Sequence, residues 1–166
     1  LARLDIRQES SRHSQLLYEF IKKKYRADYY KWSEKQRINF LSKHLKTNKK
    51  IIKNFKFKNR ENLEVWSTFK ILADQPEECL GAYIISMTSS ASDILAVSFL
   101  QKEANINKRL RVVPLFETLD DLKNAKSIME NLFSLSWYRK LIKNNHEIMI
   151  GYSDSSKDAG KLSASW

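Results

Sequence analysis

The apolar run Ile148, Met149, Ile150 meets Gly151, and residues 151–158 then hold Tyr152, Asp154, Lys157 and Asp158 among three serines. Three other short apolar runs end in the same way. Arg7 follows "LDI", Ser86 and Met87 follow "AYII" with Asp93 a little further on, and Glu117 follows "VVPLF". The carboxylates of Glu117 and Asp154 are hard oxygen donors, suited to magnesium or manganese, cations that keep waters and are shared with a substrate. Arg7 and Lys157 offer a grip for phosphate, the guanidinium as a planar fork and the ammonium as a point charge. A side-chain grip is needed, because Gly81, Gly151 and Gly160 form no glycine-rich phosphate cradle. Zinc is poorly served: His13, His44 and His146 show no ligand spacing, and Cys79 is the single cysteine. No Ser-His-Asp arrangement follows from spacing. A Ser, Asp or Glu where a strand gives way to a helix is ordinarily a cap, so the weight lies in the coincidence at all four ends.

The elements that must position these groups alternate along the chain. "LARLDIR" reads as a strand, and "QESSRHSQLLYEFIKKKY" as a helix with Leu16, Leu17 and Phe20 clustered and Ser10 or Ser11 near its cap. A helix spans about Glu61 to Leu72. "GAYIISM" is then a strand, and "SASDILAVSFLQKEA" a helix capped by Ser90 or Ser92. "LRVVPLFET" is a third strand, followed by the helix "LDDLKNAKSIMENLF" with acids in its first turn. "HEIMIGY" is the fourth strand, leading to a helix over "KDAGKLSASW". The expected strands are Leu1–Arg7, Gly81–Met87, Val112–Phe116 and Glu147–Tyr152. Strands alternating with helices predict an α/β fold with a parallel sheet or barrel and helices outside. Chemistry in such folds sits at the carboxyl ends of the strands. Glu117 and Asp154 are therefore expected to converge on one mouth.

The net charge of +11 is unevenly distributed. Residues 22–60 hold 15 Lys or Arg against two acids, Asp28 and Glu34. Cations interleaved with Tyr, Trp and Phe would suit single-stranded nucleic acid, and a basic nucleic-acid-binding module is the alternative to an enzyme. Ile38, Leu41 and Leu45 at i, i+3, i+7 favour instead a solvated, lysine-biased helical excursion. At 166 residues the chain can bury one sizeable core. Leu1 in place of Met, and a helix-like run continuing to Trp166, read as cut ends. There is no signal pattern and no apolar stretch of about 20 residues, so a soluble, cytoplasmic protein is expected.

The stretches "LDIRQESSRHS", "AYIISMTSSASDILAV", "VVPLFETLDDL" and "IMIGYSDSSKDAGKLSASW" closely resemble successive motifs in the central part of the phosphoenolpyruvate carboxylase family. They stand in the same order at similar separations, with "WYRKLI" also familiar between them, and the basic excursion is the weakest match. The resemblance implies that phosphoenolpyruvate and bicarbonate are joined to give oxaloacetate and inorganic phosphate, through carboxyphosphate and the enolate of pyruvate. A divalent metal, magnesium or manganese, would stabilise the enolate oxygen. By resemblance Glu117 and Asp154 would hold that metal, Arg7 would clamp the substrate phosphate, and Lys157 would help to place bicarbonate.

The resemblance also implies that residues 1–166 form a single partial domain, the central segment of a (β/α) TIM-like barrel within a larger, mostly helical enzyme. The whole enzyme would be a cytoplasmic homotetramer without nucleic-acid or membrane partners. Family segments resembling "TAHPT" and "FHGRGG", which carry further catalytic groups, do not occur here. The piece alone is therefore expected to be inactive.

Overall fold

The computed structural model describes residues 3–107, 109–143 and 145–151. Four strands, β1 (Leu4–Glu9), β2 (Leu80–Ser86), β3 (Arg111–Phe116) and β4 (Met149–Ile150), form one parallel sheet in the order β1-β2-β3-β4. The helices are α1 (Ser10–Tyr25), α2 (Glu34–Leu45), α3 (Arg60–Ala73), α4 (Ala91–Glu103), α5 (Leu119–Phe133) and α6 (Ser136–Leu141).

Alternation along the strands sorts the sheet into two apolar faces, as expected of strands buried on both sides. Tyr83, Ile85 and Phe116 join Leu16, Leu17, Phe20, Ile94, Leu95 and Phe99 of the helices in the main core. Ala82, Ile84, Val113 and Leu115 make a second cluster from strand residues alone, so the helices of the main core lie on the other face. In the ladder Arg7 stands opposite Ile84, Ile84 opposite Val113, and Leu115 opposite Met149.

The boundaries depart from the sequence reading where pairing outweighs local pattern. Gln8 and Glu9 belong to β1 and not to the following helix, because they pair with Ile85 and Ser86. Met87 leaves β2 with φ of 56°, a left-handed conformation uncommon for a residue with a Cβ. Of the expected strand Glu147–Tyr152, the described residues pair only at Met149 and Ile150, with Leu115 and Phe116, and Tyr152 lies outside the described residues. The helix α6 has no counterpart in the sequence reading. The expected helix over "KDAGKLSASW" and the start of the first strand at Leu1 and Ala2 lie outside the described residues.

The basic excursion is more than a solvated arm. Ile38, Leu41 and Leu45 of α2 are buried against α4, as their spacing predicts. Beyond α2 the chain is anchored by a buried ion pair, Lys102 Nζ to Glu103 Oε2 at 2.8 Å. Glu103 Oε1 accepts the backbone N–H groups of Ile51 at 2.6 Å and Ile52 at 2.7 Å. Of the 15 cations in residues 22–60, all but Arg37 and Lys50 are exposed. Of the neighbouring rings, Tyr29 and Phe57 are buried and Phe40 and Phe55 pack against the core, while Tyr25 and Tyr30 are exposed.

His13 of α1 lies wholly inside, its Nε2 2.7 Å from the Tyr83 hydroxyl. Burial, with the nearby Arg12 charge, lowers its pKa from 6.5 to about 3. The folded state thus holds the imidazole neutral while the unfolded chain protonates it below about pH 6.5. The stability it permits is present above that pH and is lost as pH falls toward 3. Urea unfolding of the complete polypeptide at pH 7 and pH 5 should show about 2 kcal/mol of loss from this residue, and His13→Gln should remove that component of the pH dependence.

Candidate active site

Arg7 and Glu117 meet at the carboxyl end of the sheet although 110 residues separate them. Arg7 stands near the end of β1 and Glu117 immediately follows β3, with β2 between. The guanidinium reaches across β2, and Nη2 donates to Glu117 Oε1 at 3.2 Å. Their side chains are 58% and 23% exposed, so the pair is open to a ligand.

The register that aims Arg7 is fixed by a local device. The β1–β2 ladder shifts between Leu4 and Ile6, and Asp5 Oδ1 accepts the Ala82 N–H at 2.8 Å. Gly81 is required beside it, because a Cβ there would lie 2.1 Å from Asp5 Oδ1.

Glu117 is held from both sides. The Asp121 carboxylate accepts the N–H groups of Glu117 at 3.0 Å and Thr118 at 3.1 Å, while Thr118 Oγ1 accepts the Asp121 N–H at 3.1 Å. This is a capping box at the start of α5. On the other side Gly151 donates its N–H to the Phe116 carbonyl at 3.1 Å. A Cβ on Gly151 would stand 2.7 Å from Glu117 Cγ, so the absent side chain makes room for the carboxylate.

The end of β2 is built from the same parts. The Asp93 carboxylate accepts N–H groups from Ser89 at 2.8 Å and Ser90 at 3.1 Å. Asp93 therefore takes the capping role, with Ser90 at the N-cap. The Met87 carbonyl accepts the Ser10 hydroxyl at 2.7 Å, which ties the left-handed turn after Ser86 to α1.

The structure thus brings together Arg7 and Glu117. Asp154 and Lys157, and the expected meeting of Glu117 with Asp154, lie outside the described residues. Sequence reasoning passed over Asp5, Gly81, Asp121 and Gly151 as positioning residues. "TLDD" carried a signal, a Thr three residues before an Asp at a helix start, whereas the Asp5–Ala82 contact has none in spacing. Among the described residues no group of three His, Cys, Asp or Glu side chains could hold a metal. Glu117 supplies one hard oxygen donor, which fits magnesium or manganese and needs further oxygen ligands to complete a site.

The phosphoenolpyruvate carboxylase family model matches residues 1–166. A phosphoenolpyruvate carboxylase of Aliivibrio salmonicida is 50% identical over 166 residues, covering 100% of this chain and 19% of the relative. One from Acinetobacter baylyi is 48% identical over 173 residues, again 100% of this chain and 19% of the relative. A C4 phosphoenolpyruvate carboxylase of Flaveria trinervia is 48% identical over 166 residues, 100% of this chain and 17% of the relative. The chain spans about a fifth of the length of these curated relatives. Its match along the whole sequence places it in the phosphoenolpyruvate carboxylase family.

Proposed function

We propose that this chain is the central catalytic segment of an enzyme that carboxylates phosphoenolpyruvate with bicarbonate, giving oxaloacetate and inorganic phosphate. The observation that carries the reading is the Arg7–Glu117 pair at the carboxyl end of a parallel sheet, in a chain matched by the family over its full length. The sheet order favours a barrel. It is sequential, without the reversal of a doubly wound sheet, and the second apolar cluster contains strand residues alone. Residues 1–166 form one partial domain of that barrel, whose remaining strands would pair with the outer edges of β1 and β4.

Glu117 and Asp154 would hold magnesium or manganese, which supplies Lewis-acid stabilisation of negative charge on oxygen. The protein's own groups do the rest. Arg7 offers the substrate phosphate a planar, multi-donor grip, and Glu117 orients that guanidinium before substrate arrives. Lys157 helps to place bicarbonate. Asp121 and Asp93 fix the backbone beneath the mouth. The complete enzyme is a cytoplasmic homotetramer, and the segment alone is inactive. The family match over residues 1–166 speaks against the nucleic-acid alternative, and of the rings in residues 22–60 Tyr29 and Phe57 are buried, leaving Tyr25 and Tyr30 exposed.

The assay is oxaloacetate production by the complete polypeptide from phosphoenolpyruvate and bicarbonate, with the metal titrated. Arg7→Lys should lower kcat/KM for phosphoenolpyruvate by about 10- to 100-fold, the worth of one or two charge-assisted hydrogen bonds. A wild-type product that makes no oxaloacetate would overturn the reading.

A further inference from the structure

The strands that carry Arg7 and Glu117 stand two spacings apart, about 9.5 Å, and the guanidinium bridges that span over β2. What β2 presents beneath it decides whether the pair can form. Side chains alternate between the two faces of a strand. Ile85 packs in the main core and Ile84 in the cluster of strand residues, so Ser86 points to the same face as Ile84. Arg7 is on that face too, because it pairs with Ile84 while its neighbour Ile6 packs against the main core.

In the ladder Ser86 stands opposite Glu9, two residues beyond Arg7, and is therefore about 6.6 Å nearer the mouth than the Arg7 backbone. Glu117 lies further on again, four residues past Val113, which is level with Ile84. An arginine side chain that leans from β1 toward Glu117 thus passes over the layer between them, and on β2 that layer is Ser86. The other inward residues of β2 and β3 are apolar: Ala82, Ile84, Val113 and Leu115. Ser86 breaks the series with a small, half-buried side chain. Its hydroxyl makes no hydrogen bond among the described residues, so no partner in the fold accounts for a serine here. Size is what distinguishes the position.

We infer that Ser86 is a positioning residue for the phosphate grip, its small side chain leaving open the passage by which the Arg7 guanidinium crosses β2 to Glu117. The inference rests on the proposed carboxylation and adds to its mouth a group that acts through Arg7. A branched side chain at this place would stand in the path of a rigid, planar guanidinium and turn its fork away from Glu117 and from the phosphate.

The test uses the complete polypeptide, with kcat and KM for phosphoenolpyruvate measured separately and inorganic phosphate titrated by calorimetry. Ser86→Leu should lower kcat/KM by about tenfold or more, chiefly through KM, and weaken phosphate by a similar factor. Ser86→Ala keeps the passage open and should stay within about twofold of wild type in both readouts. In an Arg7→Lys background Ser86→Leu should cost no more than about twofold, whereas a merely structural lesion would cost as much there as in wild type. Ser86→Val takes the place of Ser86→Leu if the latter does not fold. The inference fails if the alanine variant loses as much as the branched one, if the branched variant stays within about twofold of wild type, or if its loss persists undiminished beside Arg7→Lys. It fails equally if Arg7→Lys leaves both readouts unchanged. Phosphate binding needs no turnover, so a wild type that makes no oxaloacetate, with phosphate affinity still following the Ser86 series, would sink the proposed reaction and leave this inference standing.

Discussion

Replacing Glu117 by Gln in the complete polypeptide should depress oxaloacetate turnover by about 10²- to 10³-fold, the usual cost of losing one electrostatic contributor in an active site. The amide keeps the size and shape of the side chain beside Gly151. The hold of Asp121 on the loop is untouched, since it grips the backbone N–H groups of residues 117 and 118. What disappears is the negative charge. On the proposed reading a hard cation would lose an anionic ligand, and the Arg7 guanidinium, 3.2 Å away, loses its ionic anchor. Half-maximal activity should therefore require more magnesium or manganese, and Asp154→Asn should shift the same metal titration. Unchanged metal dependence in Glu117→Gln would remove this residue from the metal site.

The second large effect concerns stability. Glu103→Gln should cost the complete polypeptide about 3–5 kcal/mol, because removing one member of a buried pair leaves the other charge uncompensated. The side chains of Lys102 and Glu103 are 3% and 0% exposed. The carboxylate also collects two backbone N–H groups, at 2.6 and 2.7 Å, and so fastens the basic excursion to the end of α4. A neutral amide accepts these bonds more weakly and leaves the ammonium of Lys102 without a counter-charge. Urea unfolding should show the loss, and hydrogen exchange at the Ile51 and Ile52 amides should quicken more than at β2. Equal exchange in mutant and wild type would mean that the ion pair does not fasten this segment.

Local pattern made much of this fold readable. The helix α5 runs from Leu119 to Phe133, as its acidic first turn and apolar spacing predict, because every local preference in that stretch agrees with the packing. Where tertiary pairing decides, local pattern falls short. Gln8 and Glu9 look like a helix start, yet hydrogen bonding to β2 keeps them extended. The six residues of α6 are too few to show a period. At the mouth, the rule that strand ends carry chemistry located Arg7 and Glu117 at one end of the sheet, although no spacing could foretell a contact across 110 residues. Asp93 resolves the other way. Its place after a strand marked it as a candidate, and its bonds to Ser89 and Ser90 make it a cap.

Asp93 and Asp121 are two copies of one clasp, each an aspartate in the first turn of a helix that gathers the two N–H groups of the bend before it. Loops tied in this way lose their conformational freedom during folding. A ligand arriving at the mouth then meets Glu117 on backbone already ordered, and little of its binding free energy is diverted into arranging the chain. Loosening either clasp would shift that ordering cost from folding to substrate capture, so a change that never touches the substrate would show itself as slower, less selective binding.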